Sequence, residues 1–211
     1  MARRLHLSGT MRYQIASLLA IAIVTLAFGG YAAAAQKPKS ESTRKKPGVN
    51  PDAQVIVDFN KRINAYVELH KKVEATLPTL PKEATPQQID VHERALAKLV
   101  QAARADAKPG DLFSPGMQVI VRRILGQVFR GPDGRQIKNS ILDESGERSV
   151  VKLTINGRYP DEVPISTVPP QVLLSLPKLP EELEYRFVGR HVILLDVHAH
   201  TIADFIDNAF P

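Results

Sequence analysis

LEYRFVGRHVILLDVHAHTIADFID, residues 183–207, decides the fold. Its first two runs, LEYRFV and HVILLDV, are rich in aromatic, β-branched and long aliphatic residues, and they flank Gly189-Arg190. A glycine at the first central position suits a two-residue type II′ turn, whose twist matches that of paired strands. Pairing Val188 with His191 then sets Phe187 beside Val192, Tyr185 beside Leu194 and Leu183 beside Asp196. Side chains alternate along a strand, so Leu183, Tyr185, Phe187, Val192 and Leu194 share one apolar face. The hairpin should therefore belong to the core. TIAD, opening at Thr201, has the form of a helix cap and predicts a short final helix carrying Ile202, Phe205 and Ile206.

Asp196, His198 and His200 lie in the same stretch, with Asp204 close behind. If the strand runs to residue 200, the first three share a face, and an H-x-H pair on a strand can chelate zinc when a third ligand comes from elsewhere. Asp196 is a poor third ligand, because four residues of strand separate it from His200 by about 13 Å. His191 points to the opposite face. The simpler reading is a polar strand end with a satisfied Asp196 and no cofactor; a zinc site on His198, His200 and Asp196 is the alternative. DVHAH also looks like the metal-binding opening of the amidohydrolase superfamily. There it ends the first strand of a large barrel, whereas 11 residues follow His200.

Working toward the N-terminus, the pattern turns helical. Asn50-Pro51 is an N-cap followed by proline at the first helical position. Ile56, Phe59, Ile63, Tyr66, His70, Val73 and Leu77 then step by three and four, an apolar stripe that ends at Pro78. Thr85, Pro86 and Gln88 form the start of a second helix with a capping box. Its expected stripe is Ile89, His92, Leu96, Leu99 and Ala103, and Pro109-Gly110 stops it. The short join predicts an αα-hairpin. His70 and His92 would then face each other at one height, as half of a bundle-type metal or haem site or as two amphipathic histidines at the seam. The E-x-x-H ligand spacing is absent, with Glu68 and Glu93 pointing elsewhere, which favours the seam.

Ser114-Pro115 opens a third helix with the stripe Met117, Ile120, Val121, Ile124 and Val128, while Arg122, Arg123 and Arg130 face water. A turn at 131–134, a short helix near Gln136 to Asp143 and a strand at 149–155 follow. Residues 159–180 hold six prolines in 22 residues, which excludes a central strand. They read as an ordered wrapping loop with a short helix opening at Pro169-Pro170. The fold class is α+β: a helical hairpin and further helices first, a small antiparallel sheet last.

At the N-terminus, Arg3, Arg4 and Arg12 precede a 21-residue uncharged run, 15–35, that ends Ala33-Ala34-Ala35. That order is a signal peptide with cleavage after Ala35; an uncleaved anchor is the alternative. Residues 36–50 form a basic disordered linker, and 51–211 a single α+β domain, helical over 51–130 and mixed over 131–211. The formal charge is +6, yet residues 48–211 hold 20 basic and 21 acidic side chains. The high pI therefore belongs to the signal and linker, and it is no argument for nucleic-acid binding. The linker suits weak contact with anionic headgroups, or a solvated tether. No cysteine is present, which excludes disulfides, thiolate ligands and a lipoprotein. No G-x-S-x-G, P-loop, G-x-G-x-x-G or H-E-x-x-H occurs, and no catalytic residue is assigned.

AYVELHKKVEATLP, AKPGDLF and LPKLPEELEYRFVGRHVILLDVHAHTIADFI resemble a family of uncharacterised secreted bacterial proteins. The resemblance spans most of residues 53–206 and implies a periplasmic or secreted protein, with no functional residue to carry over. The expectation is an exported envelope protein, a non-catalytic module that binds an envelope partner or ligand or plays a structural part. The alternative is a zinc-dependent site, hydrolytic in character, on His198 and His200.

Overall fold

In the computed structural model, residues 50–145, 152–163 and 166–210 are described. The expected signal peptide, nearly all of the linker and the first half of the strand expected at 149–155 lie outside them. Helix α1 spans Pro51–Glu74, with the Asn50 side chain accepting from the Asp52 N–H. Helix α2 spans Pro86–Ala103 and has both halves of the Thr85–Gln88 capping box. Helix α3 spans Pro115–Phe129 and is capped by Ser114; α4 is Gly134–Ser145 and α5 is Pro170–Leu173. Three strands follow: β1 Leu183–Val188, β2 His191–Asp196 and β3 Thr201–Ile206. They make one antiparallel sheet in the order β1-β2-β3, so the fold is α+β.

The hairpin register is the one its turn dictates: Leu183 pairs with Asp196, Tyr185 with Leu194, Phe187 with Val192 and Val188 with His191. Gly189 has φ +57, the left-handed value that the first central position of a type II′ turn requires. The two sheet faces serve different cores. Tyr185, Phe187, Val192 and Leu194 join Phe59, Ile63, Leu96, Val121 and Leu125 of the helices and Phe113 of the loop before α3. Val188, Ile193, Leu195 and Ile202 pack instead with Tyr159 and Leu153 on the other side.

Four expectations need correction. First, Thr201 opens β3 and not a helix. The segment is apolar on both faces because both are covered, and a doubly buried strand loses the alternation that would identify it. Second, β2 stops at Asp196 and the chain reverses over 197–200, with His200 in the left-handed region at φ +51. Third, residues 152–155 are not strand. The outer edge of β3 is bonded instead by residues just beyond: Asn156 N to Ile202 O, Ile202 N to Gly157 O and Tyr159 N to His200 O. Fourth, the stripe of α2 is rotated from its expected line, since Val100 is buried while Ile89 is 40% exposed.

The wrapping loop is held at several points. Ser166 Oγ donates to Phe187 O at 2.7 Å, Tyr185 OH to Pro177 O at 3.0 Å, and Val168, Val172 and Leu176 enter the main core. A bulge between Leu194 and Leu195 aligns Asp204 with Leu194. There the buried Asp204 carboxylate accepts the N–H groups of Gly110, Leu112 and Phe113, tying the loop before α3 to the sheet.

Candidate metal centre

The site begins with the buried face of α1, where Phe59, Ile63, Tyr66, Val67 and His70 follow helical spacing. Tyr66 and His70 are i and i+4, so both reach the same point beyond the helix. That point is Asp196, the last residue of β2. Its Oδ2 accepts from Tyr66 OH at 2.6 Å and lies 2.7 Å from His70 Nδ1. Its Oδ1 accepts the backbone N–H groups of His198 at 3.1 Å and Ala199 at 2.9 Å. The last two bonds form an Asx-type turn, which ends the strand and reverses the chain. Four donors surround a carboxylate with no solvent exposure, as a buried charge requires.

This arrangement sets the state of His70. A carboxylate only accepts, so Nδ1 must donate, and in the neutral ring Nε2 is then a bare lone pair. Nε2 is buried and makes no hydrogen bond among the described residues. Glu74 Oε2 lies 3.3 Å away, off the line a hydrogen bond needs. Burial alone pulls the His70 pKa down. The hydrogen bond to Asp196, its charge and those of Glu74 and Glu182 outweigh that, and the net shift is upward. Tyr66 is pushed well above the usual phenol range by burial and by the Asp196 charge, so it stays a donor.

Glu74 is one turn beyond His70 on α1, and the reversal after β2 brings His198 over both. His198 Nδ1 lies 3.2 Å from Glu74 Oε1, and the His70 and His198 rings are 5.3 Å apart. One ligand atom from each of His70, Glu74 and His198 lies within 4.8 Å of the others. From α2, His92 Nε2 approaches Glu74 Oε1 at 3.9 Å. The site is graded in exposure: the His70 side chain is fully buried, whereas that of His198 is 43% exposed.

His198 and His200 are separated, not paired. His200 Nε2 lies 3.7 Å from Asp161, with its ring edge-on to Tyr159. Asp161 in turn bonds Arg158 and Arg94. The third expected candidate, Asp196, is sealed by its four donors and supports His70 from behind. His191 stands at the hairpin end, 3.0 Å from Asp207. His70 and His92 both lie near Glu74, at 3.3 Å and 3.9 Å, a residue that sequence reasoning passed over. Its signal was legible: H-x-x-x-E puts a histidine and a carboxylate on one helix face. No family model matches the chain, and neither does any curated protein or solved structure.

Proposed function

We propose that this is an exported binding module that holds one zinc ion through His70 Nε2, Glu74 and His198. The carrying observation is the buried His70 Nε2, which lacks a hydrogen bond while Asp196 anchors Nδ1. Metal-bound histidines commonly give their other ring nitrogen to a carboxylate, which fixes the tautomer and strengthens the donor. Two imidazoles and one carboxylate suit zinc, and three protein ligands are the usual number for a site with one position left over. The charges of Glu74 and Asp196 together balance a divalent cation. A proton on His70 is the competitor, favoured by its raised pKa and by Glu74 lying 3.3 Å from Nε2 as an ion-pair partner, and zinc titration separates the two.

Export is supported by the basic, apolar, A-x-A order of residues 1–35. Elemental analysis and zinc titration of untagged protein test the metal reading. One zinc per chain is expected, with affinity lowered at least ~10-fold in Glu74→Gln and His198→Ala and unchanged in His200→Ala. Wild-type protein that binds no zinc, or a His200→Ala loss equal to that of His198→Ala, would sink it.

A further inference from the structure

We propose that the zinc ion keeps a coordination position open toward the cleft between the end of α1 and the start of α2, and that this cleft admits a small carboxylate with an apolar tail. The proposal rests on the zinc reading above.

His92 is the deciding residue. The three proposed ligands have donor atoms within 4.8 Å of one another, and His92 is not of that set. Its Nε2 is 3.9 Å from the nearer Glu74 oxygen. A group there sits one hydrogen bond beyond the metal, beside whatever fills the remaining position. The space in front of it is real. A cavity of about 550 Å³ is lined by Lys71, Glu74, Leu77, Pro78, Leu80 and His92. A second recess of about 420 Å³ shares Leu77, Pro78, Thr79, Leu80 and His92 with the first and adds Pro81, Gln87, Gln88, Val91 and Ala95. Both fall in the size range of small-molecule sites.

The chemistry of the walls names the ligand. The metal end takes an anionic oxygen, and His92 Nε2 can donate to the second oxygen of a carboxylate. Lys71 adds little, because its ammonium is held by Glu182 at 2.9 Å. Away from the metal the walls are mainly leucine, proline, alanine and the 67% exposed Val91, which offer contact to methylenes, with Thr79, Gln87 and Gln88 as the polar side chains among them. Each buried methylene tightens binding by about fourfold. The head therefore belongs at Glu74 and His92, and the tail along Leu77, Leu80 and Val91.

Cobalt(II) in place of zinc makes this visible, because its absorption reports coordination number. The full chain loaded with cobalt is titrated with acetate, butyrate, hexanoate and N-acetyl-leucine. Carboxylates should change the spectrum, and hexanoate should bind at least ~10-fold more tightly than acetate. Tighter binding of N-acetyl-leucine than of hexanoate would assign the site to peptide ends, and the reverse to free acids; either result supports the class. Val91→Asp should erase the advantage of the longer tail while cobalt stays bound. His92→Ala should weaken carboxylate binding about tenfold and leave cobalt affinity within a few-fold. A His92→Ala protein with a changed ligand-free spectrum and a large loss of cobalt affinity would make His92 the fourth ligand and close the site, overturning the proposal. So would a spectrum blind to every carboxylate, with cobalt bound. Failure to bind cobalt or zinc at all sinks the zinc reading itself, and this one with it.

Discussion

At the scale of single residues, the buried carboxylates Asp196, Asp204 and Glu182 each have partners far away along the chain. Asp196 joins α1 to the turn after β2 through Tyr66, His70 and two backbone N–H groups. Asp196→Asn keeps the shape but removes the charge that orients His70. Hydrogen bonds to a buried charged group are worth about 1.5–3 kcal/mol each, and the amide retains only some of them. The variant should lose about 3 kcal/mol in chemical denaturation and, on the zinc reading proposed above, bind the metal ~10–100-fold more weakly. Unchanged stability would show that Asp196 is not the anchor described.

Glu182 gives the pH dependence at this scale. Burial pushes its carboxyl up, but the hydrogen bond from Lys71, one from its own backbone N–H and the charge of Lys71 act the other way, and the net shift is downward. A carboxyl with a lowered folded-state pKa contributes stability above its unfolded pKa, about 4.3, and loses it as pH falls through the folded value. Stability should therefore decline on acidification below about pH 5, and Glu182→Gln should flatten that decline. Urea melts of both proteins at several pH values measure it; parallel curves would exclude Glu182 as a contributor.

At the scale of elements, the helix starts were legible because caps are local. Asn50-Pro51, Thr85-Pro86 and Ser114-Pro115 each open a helix where the side chain meets a free N–H within three residues. The start of α4 has a different constraint. A methyl group on Gly134 would collide with the carbonyl of Phe129 at the end of α3. Such backbone crowding is relieved only by moving one helix against the other. Gly134→Ala should cost about 1–3 kcal/mol although alanine is the better helix former. A neutral or stabilising result would mean that the α3–α4 junction yields easily. The β1–β2 hairpin was equally legible, since glycine position and apolar alternation set its register together. β3 was not. Thr201 looks like a cap in isolation, and only the covering of both sheet faces explains why the segment is extended.

At the scale of the whole molecule, export remains the most direct proposal from sequence, and cell fractionation with N-terminal sequencing checks it. The mature protein should begin at Gln36 outside the cytoplasm. Cytoplasmic protein that retains residues 1–35 would overturn export, and membrane-held protein that retains them would overturn only cleavage.

The sequence by itself determined the fold class, the three helix starts, the hairpin register and the lack of any thiolate chemistry. These depend on neighbours within a few positions, on a fixed period, or on composition. The tertiary structure alone decided the site. Asp196 lies 126 residues from His70, and no period or cap connects them. The strand ends at the turn capped by Asp196, after which His198 lies against Glu74 of α1 and His200, in the left-handed region, lies beside Asp161. Two histidines that a continuous strand would have aligned on one face are thereby separated. His198 instead joins His70 and Glu74, because the buried Asp196 needs four donors and the fold supplies them from both ends of the chain.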